Sequence, residues 1–145
     1  MTHKRFWFSV LAVWLVMFVT DFLFHGIWLA TLYQQTAQYW RSPEEMQHYM
    51  PFMWIGQAIF AFSFVWIYSK GISKDNQWSQ AFRFAMAILF VSKVPTQLGL
   101  WATSPYPIEL VLRWFFIASV QAIACAFVMT WTFKPSTWTM AHANH

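Results

Sequence analysis

The sequence predicts an all-α integral membrane bundle of four spans. Of its 145 residues, 59% are hydrophobic and only 10% charged, too little charge to cover the surface of a soluble domain. Its mean hydropathy is +0.40. Aromatic residues make up 22%, with 11 Trp and 16 Phe, a composition suited to lipid contact and interfacial anchoring. Four stretches provide the roughly 20 apolar residues that a transmembrane helix requires: 6–32, 51–68, 82–103 and 108–133. They form one membrane domain over 1–145.

The first stretch is long enough to tilt or protrude. Its "HKR" opening imitates a signal peptide, but the apolar run is too long, contains Asp21 and lacks a small-residue cleavage site. It therefore reads as a retained first helix. The following loop contains "RSPEEM", in which Ser42 can cap a helix, Pro43 suits its first position and Glu45 completes a capping box. An interfacial helix should lead from Pro43 into the second span, bent by Pro51. Tyr33, Tyr39, Trp40 and Tyr49 suit an aromatic belt. "SKGISKDNQWSQ" reads as a polar connection to the third span, which Pro95 should kink, freeing a backbone carbonyl for Lys93 or Thr96. "SPYPIE" is a tight turn that starts the fourth span, where Ala118, Ala122 and Ala126 make a small-residue stripe. Gly56 and Gly99 are further positions for close helix approach. The tail "KPSTWTMAHANH" is short, and its His142 and His145 are too isolated to suggest a metal.

Charge sets the orientation. Lys4, Arg5, Lys70, Lys74, Arg83 and Lys134 lie on one side, against Arg41 and Arg113 on the other. This bias places both termini in the cytoplasm. The net charge of +4 is carried by loops between apolar spans, so it points to lipid headgroups rather than nucleic acid. The single cysteine, Cys125, lies in an apolar run, can form no intramolecular disulfide and reads as packing.

The chain also repeats itself. "FVTDFLFHGIWLAT" (18–31) aligns with "FVSKVPTQLGLWAT" (90–103), which sets Asp21 over Lys93 and His25 over Gln97. "QAIFAFSFVWIYSK" (57–70) aligns with "QAIACAFVMTWTFK" (121–134), which sets Gln57 over Gln121. A duplicated helical hairpin would relate the halves by a pseudo-twofold axis along the membrane normal. Residues facing that axis would then meet their counterparts.

These alignments define an intramembrane polar site of Asp21, His25, Lys93, Gln97, Gln57 and Gln121. A lone charge at the bilayer centre costs about 2.5–3.5 kcal/mol on insertion scales. Asp21 lies roughly 22 Å along its helix and Lys93 roughly 16 Å along the third, within reach of a lysine side chain. An Asp21–Lys93 ion pair is the expectation; the alternative is a protonated Asp21 and a separately snorkelling Lys93. His25, one turn beyond Asp21 on the same face, is open to three readings: a packed histidine bonded to Asp21, part of a polar cavity for a small ligand or proton, or a haem or metal ligand. Haem would need a second axial histidine at similar depth, and His48 lies at the outer interface. A metal site of His25, His48 and Glu44 or Glu45 has no recognised ligand spacing. Gln57 and Gln121 suit interhelical hydrogen bonding.

Asp21, His25-Gly26, Leu29 and Tyr33, running on to "WRSPEEM" and then "GQA" at 56–58, resemble a group of small four-helix bacterial inner-membrane proteins of unknown function. The resemblance covers mainly residues 21–57 and implies four spans in a bacterial cytoplasmic membrane. It implies no activity and carries over no functional residue.

No nucleophile–base pair, phosphate loop, zinc motif or paired intramembrane carboxylates occur, so nothing in the sequence points to an enzyme. Three functional classes follow. The first is a non-catalytic accessory or structural component, in a larger membrane complex or a homo-oligomer. The second is a small transporter or proton pathway built on the polar site. The third is a redox protein binding haem or another planar cofactor through His25, with Trp28 and Trp101 stacking on it.

Overall fold

The computed structural model describes residues 3–71 and 76–133. The expectations resting on Lys74, Lys134, His142 and His145 lie outside the described residues. The described chain is helical and supplies four helical units long and apolar enough to cross a membrane: His3–Trp28, Pro43–Lys70, Gln77–Thr103 and Ile108–Thr132. At 1.5 Å per residue each is about 38–42 Å long, against a hydrocarbon core of about 30 Å, so each reaches into the interface or tilts.

The first span is an α-helix, α1 (His3–Asp21), continued by a π-helical segment, Phe22–Trp28. There the Leu29 N–H bonds the Phe24 carbonyl at 2.8 Å. A short helix, α2 (Ala30–Gln35), and a 3-10 turn (Ala37–Tyr39) follow. The second span, α3 (Pro43–Lys70), is one continuous helix. Ser42 caps it as expected, accepting from the Glu45 N–H at 3.2 Å, with Pro43 in the first turn. The helix leading from Pro43 and the second span are thus one element, with Pro51 inside α3. Intramembrane prolines are tolerated because one lost backbone bond does not end a helix that its surroundings favour.

The third span opens as α4 (Gln77–Ile88), passes through a π-helical segment (Leu89–Lys93) and continues as α5 (Val94–Thr103). Pro95 sits in the first turn of α5, where its missing N–H and its ring are accommodated by the wider π turn before it. Thr96 Oγ1 donates to the Ser92 carbonyl at 2.6 Å, and Ser92 Oγ to the Ile88 carbonyl at 2.7 Å. The fourth span is α6 (Ile108–Thr132).

The first span packs against the second and the fourth, and the third packs against the fourth. Phe84 closes the ring by meeting Phe64 and Tyr68 of the second span at 4.9 and 5.3 Å between centroids. The first and third spans therefore lie across the bundle from each other. The core comprises Val13 and Met17 of the first span, Ala61, Phe64 and Val65 of the second, Ala81 and Ala85 of the third, and Cys125, Ala126 and Met129 of the fourth. Small residues on the last two spans allow close helix approach. Ala118 and Ala126 are buried as the stripe suggested, but a Cβ at Gly56 or Gly99 would meet nothing within 4 Å. Those two glycines mediate no close packing.

The core lies toward one end. From Pro43 to Phe60 of the second span, and from Phe90 to Thr103 of the third, no residue is buried. At that end the polar residues of the first span find their partners.

Candidate functional site

Asp21 is the last residue of α1, where the α-helix gives way to the π segment. The spans on either side each send it a glutamine. Gln57 Nε2 of the second span donates to Asp21 Oδ2, and Gln121 Nε2 of the fourth donates to Oδ1. An ionised carboxylate only accepts, and two amide N–H groups match that demand without introducing a second charge. Gln121 is buried and its amide nitrogen also reaches Thr20 Oγ1 at 2.9 Å. The Thr20 hydroxyl gives its own proton to the Val16 carbonyl at 2.7 Å.

His25 adds a chain. Its Nε2 lies 3.9 Å from Asp21 Oδ1, and its Nδ1 lies 2.5 Å from the Tyr33 hydroxyl. Trp114 Nε1 donates to the same hydroxyl at 2.8 Å. An indole nitrogen can only donate, so the Tyr33 oxygen accepts from Trp114, while the His25–Tyr33 bond can run either way with the histidine tautomer. Trp114, Tyr33, His25 and Asp21 thus lie in sequence, the last two 3.9 Å apart. Burial pushes the Tyr33 phenol above its ordinary value, the negative charge of Asp21 adds to that, and the Trp114 hydrogen bond works against it.

Local structure sets these positions. The π segment and the fully buried Leu29 end the first span, and the Tyr33 N–H bonds the Leu29 carbonyl at 2.9 Å, so α2 presents Tyr33 to His25. The rings of His25 and Tyr33 are nearly parallel, at 13° and 6.0 Å. Tyr33, Trp40, Tyr106 and Trp114 then form a contiguous aromatic cap, with Trp40 and Tyr106 stacked at 5.4 Å. Trp40 Nε1 is bonded to the buried Thr36 hydroxyl at 3.0 Å. The cap joins the first connection to the start of the fourth span.

The expected Asp21–Lys93 ion pair is not formed, and this is a correction. The third span lies across the bundle from the first, and the Lys93 ammonium sits over the Phe60 ring, 5.9 Å from its centroid. Lys93 instead lines an interior cavity of about 20 Å³ with Ser92, Gln121, Met17 and other apolar side chains. That volume admits one water molecule and nothing larger. Gln97 does not join the cluster: its Oε1 is buried with no protein partner, as is Gln57 Oε1. Of the six expected site residues, Asp21, His25, Gln57 and Gln121 come together.

Tyr33, Trp114 and Thr20 complete the cluster without having been expected there. Tyr33 alone carried a sequence signal, as a hydroxyl eight residues beyond His25. In an unbroken α-helix that spacing would also place it on the His25 face. Among the described residues no three His, Cys, Asp or Glu side chains come together in a way that could hold a metal ion. Both ring nitrogens of His25 already face a partner within the chain. No protein-family model, curated protein or solved structure matches this chain.

Proposed function

We propose that this chain is a non-catalytic accessory or structural component of a bacterial cytoplasmic membrane, with both termini in the cytoplasm. The carrying observation is that Gln57 and Gln121 occupy the two carboxylate oxygens of Asp21 from two different spans. Such an arrangement fastens the first span to the second and the fourth through one carboxylate. The small interior cavity supports the same reading, since small-molecule sites usually measure about 300–1,000 Å³. The basic residues Lys4, Arg5, Lys70 and Arg83 at the end bearing the termini support the orientation. The motif over residues 21–57 supports the bacterial membrane. The convergence of Gln57 and Gln121, aligned by the internal repeat, supports a duplicated hairpin.

Purification in a gentle detergent followed by native mass analysis tests the proposal. A stoichiometric partner or a defined homo-oligomer is the expected result. A monomer without a partner that moves solute or protons on reconstitution would overturn it.

The chain from Trp114 through Tyr33 and His25 to Asp21 favours a second reading, a proton-loading site open at one side. His25 and Asp21 keep 37% and 30% of their side-chain surfaces outside the protein core, which supports a site open at its rim. Toward the termini the chain meets apolar packing around Met17 and Val13, which supports loading without transmembrane passage. Liposomes containing the protein and a trapped pH dye should show no flux above that of empty liposomes. A flux abolished by Asp21→Asn would replace the accessory reading with a proton pathway. No observation favours a haem or redox role for His25.

A further inference from the structure

Where the first span begins and the fourth ends, Arg5, Phe8, Trp131 and Thr132 line an open groove of about 220 Å³. Arg5 is two residues into α1 and Thr132 is the last residue of α6, so the groove lies at headgroup depth. Its walls are aromatic: the Phe8 and Trp131 rings stand 6.0 Å apart and both are exposed. The same end carries Lys4, Lys70 and Arg83. A cation above two apolar rings suits a molecule with an anionic head and an apolar body.

We propose that this groove binds one anionic phospholipid, with its phosphate at Arg5 and its first acyl segment between Phe8 and Trp131. The Thr132 hydroxyl donates to the Val128 carbonyl at 2.9 Å, so toward the groove it can only accept. A headgroup bearing hydroxyls, such as that of phosphatidylglycerol, can use such an acceptor. A choline headgroup offers no hydroxyl and adds a positive charge beside Arg5 and Lys4. Basic sites between transmembrane helices recognise anionic headgroups in this way.

Native mass spectrometry of the full chain, released from nanodiscs of equimolar phosphatidylglycerol and phosphatidylcholine, tests the proposal. Phosphatidylglycerol should be the retained lipid. Arg5→Gln should lower its retention about fivefold, which corresponds to about 1 kcal/mol per interfacial cation. Trp131→Ala should lower retention as well. Arg5→Lys should keep most of it, and Arg83→Gln, at the same end but outside the groove, should change it less than twofold. Equal retention of the two lipids, or no effect of Arg5→Gln, would overturn the proposal. An Arg83→Gln loss equal to that of Arg5→Gln would also overturn it, because attraction would then be spread over the whole basic rim. Full displacement by free glycerol 3-phosphate would show a phosphate site in place of a lipid site.

Discussion

Gln121→Leu removes one donor from Asp21 while keeping an apolar side chain of similar volume in the fourth span. In the native bundle Gln121 Nε2 donates to Asp21 Oδ1 and reaches Thr20 Oγ1 at 2.9 Å. After substitution, Oδ1 keeps only His25, 3.9 Å away, too far for a hydrogen bond. Hydrogen bonds to charged groups contribute about 1.5–3 kcal/mol. Measured interhelical bonds in membranes average about 0.6 kcal/mol and reach about 1.7, because the unfolded chain also finds partners in the bilayer. A loss of about 1–2 kcal/mol is expected. The assay is reversible unfolding in bicelles of the wild type, Asp21→Leu, Gln121→Leu and the double variant. If the two side chains bind each other, the double variant should lose less than the sum of the singles, by about 1 kcal/mol. Independent sites usually add to within about 0.3–0.5 kcal/mol. Additive losses would therefore refute the contact. Gln97→Leu is the control, since no hydrogen bond joins Gln97 Oε1 to the protein, and it should show no coupling to Asp21.

Further substitutions probe other parts of the structure. The exchange Asp21→Lys with Lys93→Asp should fail to recover folded protein, since the two residues form no pair; recovery in bicelle unfolding would restore the ion-pair reading. Tyr33→Phe deprives His25 of its partner and Trp114 of its acceptor, and should cost about 1–3 kcal/mol in the same assay, whereas Tyr68→Phe should be neutral or slightly stabilising, because the Tyr68 hydroxyl is buried without a partner. The Tyr33 phenol is raised in the folded state, so folded chains keep its proton above pH about 10, where unfolded chains lose it. The stability it contributes is complete below that pH and falls as pH rises through the folded value; the wild type should lose more stability there than Tyr33→Phe, and parallel curves would contradict this. Gly56→Ala should stabilise by about 0.5–1 kcal/mol through helix propensity, as a Cβ there meets nothing within 4 Å.

The number of spans and their polar residues were legible because both follow from local composition. Helical rise also gives how far along its helix each residue sits. What rise omits is direction around the bundle. Asp21 and Lys93 were expected at depths that a lysine side chain could bridge, yet the third span lies across the bundle from the first, and the neutral glutamines of the neighbouring spans reach the carboxylate. The role of Gln57 and Gln121 as interhelical donors was therefore readable, but not their shared acceptor. The helix start at Pro43 was legible from its Ser42 cap, and α3 runs on through Pro51. Tyr33 and Trp114 are 81 positions apart, and no local pattern pairs them. The π segment and the short α2 carry Tyr33 to the cluster past the buried Leu29, and apolar periodicity does not encode that path.

The central claim is that the Asp21 carboxylate is held by glutamine amides of the second and fourth spans. Solid-state NMR dipolar recoupling in lipid, between Asp21 13Cγ and side-chain 15N labels on glutamine and lysine, measures this directly. Contacts of about 3.5 Å, the carbon–nitrogen separation that an N–H···O hydrogen bond imposes, are expected to Gln57 and Gln121 and none to Lys93. A short distance to Lys93, with both glutamines remote, would contradict the account.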